Sequence, residues 1–273
     1  KTVTGAIAGE ADQLDADAMM LGVENGVVDL RTGVGRSADR SDLITKSCRA
    51  PFDPDAICPR WDAFLASVFA DKADVIAYVQ RAVGYSITGV TSERVIFIEH
   101  GSGANGKTTF IEVLAHMLGT YAMSTPIETL IVRKDPGISN DIARLKSARF
   151  VSAVESERGA KLAEAKIKQI TGGDRLAARF LHQEFFEFLP QCKMWLATNH
   201  RPEIASGGKA IWKRVRISSA QGPCAFIRLW KAGSLSRPPR ISRMIAITLP
   251  ARSGKCASSH ARNSGATSKG RRT

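Results

Sequence analysis

Apolar residues recur at helical spacing over Trp61, Phe64, Leu65, Val68 and Phe69, and again over Val75, Ile76, Val79, Ala82 and Val83. The pattern predicts two amphipathic helices, the second ending at Gly84. Upstream, the run Val23 to Leu30 places Asn25-Gly26 between β-formers, which predicts a hairpin with a two-residue turn. Beyond Thr91 the period shortens. Three apolar runs, Arg94 to Glu99, Ala148 to Val154 and Lys193 to Thr198, read as short buried strands separated by helical or irregular connections. Strands alternating with helices imply an α/β fold with a largely parallel sheet, preceded by a small, mostly helical domain. No window reaches the roughly 18 to 20 apolar residues that a membrane-spanning helix needs, and the first twenty residues lack a signal-peptide layout. No membrane partner is therefore expected.

The stretch after the first of these strands carries the clearest chemistry. Gly101 to Thr109 reads GSGANGKTT, which fits G-x-x-x-x-G-K-[ST] at Gly101, Gly106, Lys107 and Thr108. A helical run, Phe110 to Leu118, follows and is closed by Gly119. Glycines let the backbone wrap phosphate oxygens, and free N–H groups at a helix start attract anions. The candidate nucleotide-binding set is Gly101, Gly103, Ala104, Asn105, Gly106, Lys107, Thr108 and Thr109. Lys107 would reach the β- and γ-phosphates and the Thr108 hydroxyl would ligate Mg²⁺, so ATP and Mg²⁺ are the expected cofactors.

Open parallel sheets gather ligands at the carboxyl ends of their strands, so the neighbouring strand ends matter. The strand closing at Val154 runs into Glu155-Ser156-Glu157, whose two carboxylates would point to one side of an extended chain. One can hold Mg²⁺, directly or through water, with Glu155 the candidate metal ligand beside Thr108, and the other can orient or deprotonate the attacking water. Asn199 follows the strand ending at Thr198 and could bond the γ-phosphate or that water. Shortly after come Lys213, Arg214 and Arg216; an arginine at a subunit edge can reach a neighbour's nucleotide.

Charge sharpens the domain reading. The chain has 273 residues and a net charge of +13, but the segment from Ile217 to Thr273 holds 11 Lys/Arg and no acid. That leaves 28 basic against 26 acidic groups before it, so the core is nearly neutral. Composition and periodicity change at the same place. The expected organisation is a domain over 1–90, a second over 91–217, and a basic Ser/Arg-rich tail over 218–273. The five cysteines, Cys48, Cys58, Cys192, Cys224 and Cys256, form no C-x-x-C pair and read as free thiols.

Taken in order, GSGANGKTTF, RFVSAVESE, ITGGD, KMWLATNHRPEI and AIWKRVRI resemble the C-terminal helicase domain of phage and plasmid primase-helicases, superfamily III AAA+ ATPases related to the poxvirus D5-type primase-helicase. VENGVVDLRTG, PFDPDAICPRWDAF and QRAVGYSITG resemble the helical domain ahead of that ATPase. The resemblance covers about residues 20 to 217 and implies a homo-oligomeric ring, usually a hexamer, that hydrolyses ATP between subunits and unwinds single-stranded or forked DNA. It gives Gly106, Lys107 and Thr108 the Walker A roles, Glu155 and Glu157 the Walker B roles, Asn199 the sensor role, and Arg214, then Arg216, that of the arginine finger. Leu176 to Leu181 and Phe185 to Leu189 would form a hairpin around His182-Gln183-Glu184, with Lys168, Arg175, Arg179 and His182 as DNA-backbone contacts. A primase domain or other replication proteins are implied as partners, and the cytoplasm of a bacterial host as the location.

Two departures bear on this. The chain lacks an initiator Met and only about 20 residues precede the matching part, so it reads as a piece of a longer protein. After Ile217 the similarity stops abruptly, the pattern a shifted reading frame produces; a disordered basic arm or a nucleic-acid-binding tail is the alternative. Two other functions fit parts of the sequence: another ATP-driven motor, or a non-catalytic nucleic-acid-binding fragment.

Overall fold

The computed structural model describes residues 13–132, 140–154, 161–180, 182–200, 203–204 and 209–220. In chain order these form strands β1 (Met20–Val23), β2 (Gly26–Asp29) and β3 (Val34–Arg36), then helices α1 (Pro59–Val68) and α2 (Ala73–Ile87). Next come β4 (Ile96–His100), α3 (Lys107–Leu118), β5 (Ala122–Ser124), α4 (Asn140–Ala143), β6 (Phe150–Val154), β7 (Lys161–Leu162) and α5 (Glu164–Thr171). The last are β8 (Leu176–Ala178), β9 (Phe186–Phe188), β10 (Lys193–Thr198), β11 (Glu203–Ile204), α6 (Lys209–Trp212) and β12 (Val215–Ser219). The basic tail, with the expected shift of reading frame, Cys224 and Cys256, lies outside the described residues.

The expected parallel sheet has five strands in the order β12-β4-β10-β6-β5, every pair parallel. Two-residue alternation sends its side chains to two cores. Phe97, Phe150, Trp195 and Ala197 face one cluster, which also takes α1, α2, α3 and the β1-β2 hairpin. Ile96, Ile98, Val151, Ala153, Met194 and Leu196 face the other, beneath α5 and the β8-β9 hairpin. The first cluster joins residues from both sides of position 90 without a break.

Trp195 is the hub of that first core. It is 1% exposed, stacks on Phe97 at 4.6 Å and lies 5.7 Å from Phe110 and 5.8 Å from Phe150. Its indole N–H donates to Ser86 Oγ at 3.0 Å, and Ser86 Oγ donates to the Ala82 carbonyl at 2.7 Å. This explains the first difference from the sequence reading. Helix α2 does not stop at Gly84 but runs to Ile87, because Ser86 and the fully buried Ile87 are packed on the sheet, and tertiary contacts outweigh the cost of a helical glycine. The second difference is one residue in the hairpin. Val23 pairs with Gly26, so the turn residues are Glu24-Asn25, and Gly26, at φ +142°, opens β2 against the Arg36 carbonyl.

Two buried cations tie these layers together through backbone carbonyls. Arg149, 1% exposed, donates to the carbonyls of Ile87 (3.0 Å), Asp17 (3.2 Å) and Met20 (2.7 Å) and lies over the Tyr121 ring. Lys193 donates to the carbonyls of Thr88, Val90 (3.2 Å) and Gln191 (3.0 Å), and burial pushes its ammonium well below the usual lysine range. Both sit just past the carboxyl end of α2, where helix carbonyls lack intrahelical partners and the dipole favours positive charge. The three cysteines among the described residues, Cys48, Cys58 and Cys192, are free thiols. Among those residues no helix is long and apolar enough to cross a membrane.

Candidate functional site

The Gly101 to Thr109 segment leaves the carboxyl end of β4, the central position between β12 and β10. Register puts neighbouring strand ends level with it: His100 pairs with Thr198 and with Ser219, and Ala197 pairs with Val154. Asn199, exposed, therefore begins directly beside the loop, and the Thr198 carbonyl accepts the Gly101 N–H at 3.3 Å. Glu155 and Glu157 lie outside the described residues, although β6, which ends at Val154, delivers the chain to the same edge of the sheet.

Within the loop, Lys107 opens α3 and is 6% exposed. Its ammonium donates to the carbonyls of Gly101 (2.7 Å) and Ser102 (3.3 Å) and to Asn105 Oδ1 (2.7 Å). The Asn105 amide N–H₂ in turn donates to the Ala220 carbonyl at 2.8 Å, just past β12. Helix α3 begins at Gly106 with no side-chain cap, so its first N–H groups face the loop. Thr108 is exposed at this end, whereas Thr109 is buried and turned into the core. An uncapped helix start, a wrapped loop and a fixed ammonium fit a phosphate group. Bound Mg²⁺ would be held by Thr108 here; among the described residues no three His, Cys, Asp or Glu side chains cluster to hold a metal by themselves.

The glycines are not equivalent. A Cβ on Gly101 would fall 2.2 Å from Asn105 Nδ2 and 2.4 Å from the Ala220 carbonyl oxygen, and Gly106 has φ +95° with Val68 Cγ2 at 2.7 Å. A Cβ on Gly103 meets nothing within 4 Å, and the non-glycine Ala104 itself sits at φ +62°. Gly101→Ala and Gly106→Ala are therefore expected to lower Tm and weaken phosphate binding, while Gly103→Ala leaves Tm unchanged; thermal melts of the three variants check this.

One acid in the site had no role in the sequence reading. Glu99, 1% exposed on β4, accepts a 2.6 Å hydrogen bond from Ser218 Oγ on β12. Burial pushes its carboxyl up to about 7, against the opposing pull of the Ser218 bond and the Lys107 charge. Burial lowers Lys107 in turn, with Glu99 acting the other way. The signal in the sequence was an acid inside an apolar strand immediately before a glycine-rich loop.

The remaining candidates divide. Arg214 is at the amino end of β12, while the loop is at the carboxyl end of the adjacent, parallel β4. Five residues of strand place them roughly 15 Å apart, so Arg214 does not meet the loop of its own chain; its guanidinium donates to Thr171 Oγ1 at 2.9 Å. Arg216 is folded back on the Lys213 carbonyl at 2.7 Å. The expected hairpin is present as β8 and β9, antiparallel with Leu176 opposite Phe188, though its strands are shorter than predicted and Leu181 lies outside the described residues. Arg175 and His182 are exposed on it, and Arg179 lies over the Phe185 ring at 4.9 Å. Lys168 differs from expectation: it is ion-paired with Glu164 one turn back on α5, an i,i+4 pair that partly neutralises it.

Comparison with known proteins bears on the family. A family model described as "D5 N terminal like" matches residues 2–70, and one described as a family of unknown function (DUF5906) matches residues 100–214. The chain is 29% identical over 210 residues to a candidate helicase, L207/L206, of Acanthamoeba polyphaga mimivirus, covering 75% of this chain and 22% of that protein. It is 30% identical over 184 residues to a candidate helicase, 022R, of Frog virus 3, covering 65% of this chain and 19% of that protein. It therefore spans about a fifth of the length of these curated relatives, which come from viruses of eukaryotes and not from phages or plasmids. In fold it is similar to the apo A form of the NrS-1 C-terminal region, with a TM-score of 0.54 at 9% identity, over 86% of this chain and 53% of that one. The amino-terminal family match and the viral relatives together make the chain a relative of the D5-type primase-helicases.

Proposed function

We propose that this chain is the ATP-hydrolysing motor segment of a DNA helicase, an AAA+ ATPase of the superfamily III type that works as a ring. The observation that carries the reading is the Lys107 loop, positioned at the carboxyl end of a central parallel strand with Asn199 beside it. Bound Mg·ATP would supply the γ-phosphoryl group for transfer to water. Lys107 and the α3 N–H groups bind the phosphates, Thr108 and Glu155 hold the metal, Glu157 orients the water, and Asn199 bonds the γ-phosphate or that water. Because Arg214 lies away from its own loop, a finger role for it is one played on a neighbouring subunit.

The β8-β9 hairpin is the proposed DNA-contacting element. It follows β6 and precedes β10 in the chain, so a shift at Glu157 or Asn199 on hydrolysis can move it. The test is ATP turnover with and without single-stranded DNA, strand displacement on a fork, and the mass of the oligomer. DNA-stimulated turnover by a hexamer supports the reading; salt-sensitive DNA binding without turnover would point to a non-catalytic fragment. Arg179→Ala should weaken DNA binding and unwinding severalfold while basal turnover stays within about twofold, since Arg179 lies over the exposed Phe185 of the hairpin and not in the phosphate loop. Unchanged DNA affinity would remove the hairpin from the interface.

A further inference from the structure

Glu99 is a buried acid that the proposed hydrolysis does not use. It lies two positions before the loop's first glycine, and its Oε1 is held by Ser218 of β12 across paired strands. The same strand is fastened to the loop a second time, through Asn105, which accepts from Lys107 and donates to Ala220. Charged and titratable groups near Glu99 among the described residues come from α2, α3 and its own strand. Lys107 of α3 acts on it directly, Tyr78 of α2 feels both Glu99 and Arg216 of β12, and His100 is next in the chain. His100 points to the opposite face of the strand from Glu99.

Phosphate oxygens drawn to Lys107 bring negative charge toward a buried carboxyl in a setting of low effective dielectric, where like charges repel strongly. We propose that Glu99 is a positioning residue that couples phosphate binding to a proton: binding favours the neutral carboxyl, which takes its proton from solvent, and Ser218 sets the pH at which this happens. The inference rests on the phosphate-binding reading of the loop. The neutral acid leaves the whole Lys107 charge to the phosphates, and release of nucleotide returns the proton. The strand that carries Arg214 thus also carries, in Ser218, the group that adjusts the nucleotide site.

The experiment is calorimetric titration of Mg·ADP into the whole chain at pH 6, 7 and 8, in buffers of differing ionisation enthalpy. Relative to Glu99→Gln, the native chain should bind roughly threefold to tenfold tighter at pH 6 than at pH 8 and take up a fraction of a proton near pH 7. Ser218→Ala removes the bond that favours ionisation and should move the transition to higher pH, which decides the matter if Glu99→Gln folds poorly. His100→Gln should keep the native profile. There is also a readout without nucleotide. The folded-state carboxyl sits at about 7, above its ordinary 4.5, so the folded chain holds this proton across that window and loses stability as pH rises through it. Glu99→Gln should therefore raise Tm relative to the native chain at pH 8 and have little such effect at pH 5. Identical pH profiles for the native chain and Glu99→Gln, or a profile abolished by His100→Gln, would overturn the proposal. No Mg·ADP binding by the native chain at any pH would overturn the phosphate-loop reading itself.

Discussion

Lys107→Ala is expected to lower ATP turnover on the order of a hundredfold or more, the scale seen when a fixed donor is taken from a developing charge, and to weaken Mg·ATP binding markedly. The loop holds this ammonium on the Gly101 and Ser102 carbonyls and on Asn105, so its position is set before binding and phosphate oxygens take over donors now given to the loop. Alanine removes the charge and leaves three acceptors facing one another across the loop. Of those acceptors only the Ser102 carbonyl belongs to an exposed residue, while Gly101 and Asn105 are buried, so the fold should survive with Tm measurably lowered. Calorimetry of Mg·ATP binding beside a thermal melt separates the two effects. Retained binding and turnover in a folded variant would refute the nucleotide site.

Trp195→Ala carries the largest expected effect on stability. Deleting a fully buried tryptophan costs about 3–5 kcal/mol from lost transfer and the cavity left behind. Here Phe97, Phe110 and Phe150 lose their shared partner and Ser86 loses the donor that fixes the last turn of α2. A urea titration should show a lower midpoint with an unchanged slope. Trp195→Phe keeps one ring in the core but removes the Nε1 bond and the second ring, so it should cost less than alanine, on the order of 1–3 kcal/mol. Equal losses in the two variants would mean that the ring retained by phenylalanine adds nothing, and would refute the role of the aromatic cluster.

The parts of the molecule legible from sequence are those whose cause is local. Asn25-Gly26 marked a hairpin, apolar runs marked β4, β6 and β10, and the spacing of Gly101, Gly106 and Lys107 marked the loop, because each depends on neighbours in the chain. The one-residue error in the hairpin arose because Gly26 is needed for its close approach to the Arg36 carbonyl, a contact that only β3 supplies. Gly84 misled because helix propensity is a small term and Trp195, more than a hundred positions away, decides α2. Arg149 and Lys193 were unreadable, since a cation at the start of a strand is ordinarily solvated and only the fold puts helix-end carbonyls beside it. Lys168 and Arg214 kept their positions but not the assumed freedom of their side chains: both side chains bond to α5, at Glu164 and Thr171.

The carbonyl-bound cations also set an order of assembly. Arg149 joins residues 132, 129 and 62 positions away, and the Lys193 bond to Thr88 spans 105. Contacts so distant in sequence form late, because loop closure must precede them. On a ribosome the β1-β2 hairpin and α2 are complete long before Arg149 and Lys193 emerge. Their carbonyls stay in water until Arg149, just ahead of β6, and Lys193, the first residue of β10, arrive, and these two joints then add to the shared apolar core in fastening the first-made part of the described chain to the body that carries the loop.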